Sequence, residues 1–231
     1  LVDEISQLQT YLANGGKLLL TTNSYYNTPE LDAVMAQFGL SRESGLVVEG
    51  DAGHALNGYP YSLFPDYGTT AESTALDGVN RNTHVMLAAA QGISITETDG
   101  VTAESLLNTS DKAYSKLNFS EASTTAKEEG DTDGPFSLAA WAYDEDTGAQ
   151  IIWIGCPNVD SDSVYQSIPG NLTFLQGCAA SLAGQDSILI DTKALEAAPI
   201  TVPASTASVL AMVFVFVLPA LTLIAGAVVV L

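Results

Sequence analysis

The chain is poor in positive charge. Only 7 of its 231 residues are Lys or Arg, against 27 Asp or Glu, so the formal net charge is −20. A surface this acidic is repelled by phosphate backbones, which excludes nucleic acid as a partner. The same repulsion disfavours docking of a folded part onto anionic lipid headgroups. Cysteine is as scarce: Cys156 and Cys178 are the whole complement, too few for a disulfide scaffold and at a spacing that fits no metal motif. The two histidines, His54 and His84, stand apart from Cys and from clustered carboxylates in the sequence. No Gly-rich phosphate loop, His-Glu-x-x-His or Gly-x-Ser-x-Gly occurs. Asp131-Thr-Asp133-Gly and Asp144-Glu-Asp146 resemble the start of calcium loops but lack the closing Glu, and turn chemistry explains them better. No catalytic residue, metal or cofactor is expected on these grounds.

What is present is apolar and patterned. Hydrophobic residues make up 47% of the chain, too many for disorder. Residues 209–231 run without a charge, interrupted by Pro219, Thr222 and Gly226. As a helix at about 1.5 Å per residue, such a run crosses a hydrocarbon core of about 30 Å. A transmembrane helix in contact with lipid is therefore expected there, with Ala220, Thr222, Gly226 and Ala227 as helix–helix contacts. No Lys or Arg follows Lys193, so the preceding domain is expected to be extracytoplasmic, in a cell membrane. The chain starts at Leu1 without Met and stops at the edge of the apolar run. It is read as a fragment that continues into a short basic tail.

Along the chain, Val2, Ile5, Leu8 and Leu12 have helical spacing, and Gly15-Gly16 supplies the stop. Lys17-Leu-Leu-Leu-Thr reads as a buried parallel strand. Thr28-Pro29-Glu30 opens a helix that turns Leu31, Val34, Met35 and Phe38 inward. This alternation predicts helices on the faces of a sheet. Residues 50–68 read as a long loop, and 119–134 as an acidic one. Two β-rich runs around Asp144-Glu-Asp-Thr-Gly148 give a hairpin signal. A helix with Leu172, Leu175, Ala179 and Leu182 on one face follows, and then a short strand at 187–191. The expected domains are an α/β domain at 1–191, a Pro/Ala/Ser/Thr linker at 192–208 and the membrane helix at 209–231.

Tyr11-Leu-Ala-Asn-Gly-Gly-Lys-Leu-Leu-Leu20 resembles the helix-to-strand step of the class I glutamine amidotransferase-like fold. Leu106-Leu-Asn-Thr-Ser-Asp-Lys-Ala-Tyr114, Gly130-Asp-Thr-Asp-Gly-Pro-Phe136 and Gly170-Asn171 resemble one branch of it. That branch is the auxiliary component of gliding-motility-type ABC transporters. The resemblance implies a flavodoxin-like, mostly parallel sheet flanked by helices, and ABC permease and ATPase subunits as partners. It also implies where a nucleophilic Cys would stand, and Thr22 is there. Where the family's catalytic His and Glu would follow the late strand, the chain has Cys156-Pro-Asn158-Val-Asp160. A Thr hydroxyl without an adjacent base is a poor nucleophile, so a non-enzymatic auxiliary role is expected. The alternative is an extracytoplasmic solute- or glycan-binding module that uses Tyr59, Tyr61, Phe64 and Tyr67.

Overall fold

The computed structural model describes residues 2–122, 124–161, 164, 167–185 and 212–220. By internal contacts the chain divides into two units, Leu1–Asp191 and Thr192–Leu231.

In the first unit, helix α1 (Val2–Ala13) ends at Gly15, whose φ of +79° reverses the chain into β1 (Lys17–Thr21). A Cβ at Gly15 would stand 2.9 Å from the carbonyl oxygen of Thr147, so glycine is needed here for space as well as for conformation. Helix α2 (Pro29–Ala36) starts with Pro at its first turn, where a missing N–H costs nothing, and buries Val34 and Met35. Then come β2 (Leu40–Arg42), β3 (Leu46–Val48), β4 (Ala55–Leu56), β5 (Tyr59–Leu63), β6 (Asp66–Tyr67) and β7 (Leu87–Ala88). After these run β8 (Ile93–Ile95), β9 (Val101–Asn108), β10 (Tyr114–Lys116), β11 (Thr132–Asp133), β12 (Ser137–Asp144) and β13 (Gln150–Ile154). Helix α3 (Pro169–Leu182) is the last long element described in this unit.

The main sheet has seven strands in the order β1-β13-β12-β8-β2, with β9 also paired to β12 and β6 to β9. Two three-stranded sheets, β11-β10-β3 and β4-β5-β7, complete the unit. Among the described residues only β1 and β13 pair in parallel, and the other strand pairings are antiparallel.

This corrects the expected flavodoxin-like, mostly parallel sheet. Parallel neighbours need long crossovers, whereas antiparallel ones need only a turn. Here β12 and β13 are joined by the tight turn at Asp144–Gly148, where the Gly148 N–H bonds to the Asp144 carbonyl at 2.8 Å. The segment at 50–68, read as a loop, holds β4, β5 and β6.

The sheet separates two cores. On one face, Leu12, Val34, Met35, Phe38 and Leu40 pack on Ile151 and Trp153. On the other, Phe174 and Cys178 of α3 pack on Ile152, Ile154 and Trp141. β13 is thus covered on both faces, which is why Ile151-Ile-Trp-Ile154 reads as an unbroken apolar run.

The second unit is described only at 212–220, where a π-helical stretch, Val213–Val217, continues into an α-helical turn. Among the described residues no helix is long and apolar enough to cross a membrane. This corrects the expected spanning helix, which is not seen, and removes the support for the membrane localisation and extracytoplasmic placement inferred from it; of the apolar run at 209–231 the described residues cover 212–220. Ala220 closes this stretch. Thr222, Gly226 and Ala227, and the strand expected at 187–191, lie outside the described residues.

Candidate functional site

In sheets with parallel strands, ligands gather beyond the strands' carboxyl ends. Thr22 directly follows β1 and Cys156 lies two residues beyond β13, and a 230 Å³ cleft opens beside Thr21, Thr22, Asn23, Tyr26, Thr28, Leu31 and Arg42. The backbone there is crowded. A Cβ on Gly155 would stand 2.2 Å from the carbonyl oxygen of Gln91, so only glycine lets the strand end pass.

Thr22 is 8% exposed, and its hydroxyl accepts the indole N–H of Trp153 at 2.8 Å. Arg42 dominates the cleft. Its Nε and one Nη donate to Asp32 Oδ1 at 3.2 and 2.8 Å, and that same Nη reaches Thr28 Oγ1 at 2.8 Å. The other Nη meets Gln91 Oε1 and the carbonyls of Asn23 and Tyr26 at 3.2, 3.3 and 3.4 Å. The guanidinium also lies 5.8 Å from the centre of the Trp153 ring. A fork so fully engaged is a clamp on the loop after β1 and has no donor left for an incoming anion.

Cys156 is fully buried, and its thiol donates to the Ala88 carbonyl at 3.3 Å. Burial pushes its pKa up, and pushes that of Cys178 up further. Both cysteines are free. A catalytic thiol needs the opposite environment, electropositive and partly exposed.

Neither histidine serves these positions among the described residues. His54 Nε2 pairs with Asp66 Oδ2 at 3.1 Å, and its Nδ1 lies 3.9 Å from Asp51. His84 packs edge-on against Phe64, with ring centres 5.9 Å apart. Asp51 is held below the usual carboxylate range by its hydrogen bond from Lys112 and by the Gly53 N–H. Asp144 caps its own turn, accepting the N–H groups of Asp146 and Thr147.

Of the four aromatics named as a ligand patch, only Tyr59 and Tyr61 are in ring contact with each other. Tyr59 and Tyr61 meet edge-to-face at 6.1 Å, and Tyr61 continues onto Phe119 at 5.7 Å. Phe64 belongs with His84, and Tyr67 packs against the core beside Leu107.

Sequence reasoning missed Lys116. Its side chain is fully buried, with Nζ 2.8 Å from the Ala126 carbonyl, 3.0 Å from Glu128 and 3.6 Å from Asp131. Burial works to lower its pKa, but the hydrogen bond and charge of Glu128, with Asp131, hold it above the ordinary Lys value. Lys116 thereby ties down the acidic loop at Ala126, Glu128 and Asp131, while Lys127 pairs with Asp133. The dense acidic run was the only hint in the sequence that a buried cation would be needed.

No family model and no curated protein matches this chain. Its fold is similar to that of a solved structure, the mmIFT52 N-terminal domain. The two share 13% identity at a TM-score of 0.55, over 79% of this chain and 71% of the other. At that identity the likeness is one of fold alone.

Proposed function

We propose that the domain is a non-catalytic interaction module within a larger assembly. On the sequence resemblance, that assembly is built on ABC-type permease and ATPase subunits. The observation that carries the non-catalytic part is the pairing of Thr22 with Trp153 where the resemblance puts a nucleophile. A hydroxyl that accepts a buried indole N–H and, among the described residues, has no base hydrogen-bonded to it acts as a structural group. Cys156 offers no substitute, because its buried thiol resists ionisation.

The test is co-purification of the tagged chain from its native cells, with Thr22→Ala and Cys156→Ser compared to the unaltered chain. The reading expects ABC-type permease and ATPase subunits in the eluate, recovered equally with all three. A well-folded variant that has lost the biological activity of the unaltered chain would return the domain to the enzymes.

A further inference from the structure

A single exposed apolar side chain needs no explanation, but a contiguous group of them does. Tyr25, Leu117 and Tyr59 are 63%, 45% and 52% exposed, and they belong to one ridge. Tyr25, Leu117 and Phe119 line a socket of about 140 Å³ together with Gly45 and the buried Leu46. From Phe119 the ridge continues to Tyr61, with ring centres 5.7 Å apart, and from Tyr61 to Tyr59 at 6.1 Å.

The strands around β3 explain how these side chains meet. Arg42, just ahead of β3, donates to the Asn23 and Tyr26 carbonyls and so holds the loop that carries Tyr25. β10, which Leu117 directly follows, pairs with β3 along its length. The Glu49 N–H, just after β3, bonds to the Pro60 carbonyl in β5 at 2.8 Å, which brings in Tyr59 and Tyr61 from one face of that strand.

The border of this ridge is acidic. Residues 116–133 carry carboxylates at Glu121, Glu128, Glu129, Asp131 and Asp133 against the amines of Lys116 and Lys127. Both amines are committed, Lys116 to Glu128 and Asp131, and Lys127 to Asp133. Glu121 and Glu129 are exposed, and among the described residues neither carboxylate has an ion-pair partner.

We propose that this ridge docks an arginine-bearing apolar segment of a partner protein. It offers aromatic rings and carboxylates together. A guanidinium uses both, stacking on a ring while its planar fork meets a carboxylate. Large apolar residues between the arginines fill the socket and cover Leu117. An ammonium pairs with the carboxylates but lacks the flat surface for stacking. An anion is repelled by a chain of net charge −20. A neutral ligand leaves the acidic border unused. Tyr and Arg are also the residues that concentrate binding energy at protein interfaces. This deepens the reading of the domain as an interaction module and rests on it.

The test is fluorescence anisotropy of the whole chain with labelled Gly-Arg-Leu-Arg-Phe-Arg-Leu-Arg-Gly. In one control peptide every Arg is replaced by Glu, and in the other every Leu and Phe by Ser. Saturable binding of the first peptide is expected, at least tenfold tighter than that of either control. Tyr25→Ser and Leu117→Ser, both at exposed positions, should each weaken it at least fivefold without moving the melting temperature. Glu121→Gln combined with Glu129→Gln should weaken it and flatten its dependence on salt. Glu145→Gln, in the turn beside the start of β1, should leave it unchanged. The proposal is overturned if the first peptide does not bind, if the Ser control binds as tightly, or if Glu145→Gln weakens binding as much as the Glu121 and Glu129 pair. It is also overturned if sedimentation shows a dimer that Tyr25→Ser dissolves, which gives the ridge to a second copy of the chain. Absent peptide binding with permease and ATPase subunits still co-purifying strikes this surface alone. Absent co-purification with peptide binding intact strikes the assembly reading alone.

Discussion

Trp153 and Thr22 lie 131 residues apart in sequence, yet the indole N–H of the first rests on the hydroxyl of the second at 2.8 Å. The bond joins the ends of the two parallel strands and sits under the Arg42 guanidinium, 5.8 Å from the Trp153 ring centre. It forms a seam between β1 and β13.

Thr22→Ala should therefore be felt as stability. Removing the hydroxyl orphans a buried indole N–H, at a cost of about 1–3 kcal/mol. Thr22→Ser keeps the acceptor and should cost less than half as much. Urea unfolding of the two variants beside the unaltered chain measures the difference. Equal effects would show that the methyl group, and not the hydrogen bond, holds the seam.

Arg42→Lys should loosen the loop after β1. An ammonium cannot reproduce the planar fork that meets Asp32, Thr28, Gln91 and two backbone carbonyls. Losing charge-assisted bonds at a largely buried site should cost about 2 kcal/mol. Backbone amide exchange at Asn23–Thr28 should speed up, while exchange in α3 stays unchanged.

Much of the secondary structure was legible because its signals are local. The helical spacing of Ile5, Leu8 and Leu12, the stop at Gly15 and the turn at Asp144–Gly148 each depend on a few neighbouring residues. Strand direction was not legible. Ile151, Ile152 and Trp153 are buried on both faces, and an apolar run looks the same whether its partners are parallel or antiparallel. Residues 50–68 read as a loop because four Gly and two Pro punctuate them, yet Pro60 sits inside β5. The burial of Lys116 was hidden for another reason: its carboxylate partners Glu128 and Asp131 follow within fifteen residues, but the side chain is enclosed only once the acidic loop folds back over β10.

The acidic loop should respond to pH through Asp131. Burial acts to raise its pKa, but the N–H groups of Glu128 and Leu117, with Lys116, bring it below the ordinary 3.8. A lowered folded-state pKa contributes stability above 3.8 that is lost as pH falls through the folded value. The stability gap between the unaltered chain and Asp131→Asn should thus be widest above about pH 5 and close towards pH 2–3. Urea unfolding at pH 7, 5 and 3 reads it. A gap that does not change with pH would mean Asp131 acts by packing and not by charge.

The cysteines should be unreactive in the native state. Both are buried, and desolvation raises both thiol pKa values. Iodoacetamide at pH 7.5 for an hour should leave Cys156 and Cys178 unmodified by mass spectrometry, and both should be labelled in 6 M guanidinium. Rapid native labelling of Cys156 would mark it as a nucleophile.

The central claim is that the strand ends carrying Thr22 and Cys156 do structural work and no chemistry. Its most direct test is gene replacement with the doubly altered chain, Thr22→Ala with Cys156→Ser, in the native host, with protein abundance and melting temperature measured alongside the phenotype. The account predicts a strain indistinguishable from one carrying the unaltered chain, wherever the variant accumulates to the same level. A null phenotype at undiminished abundance and intact fold would contradict it.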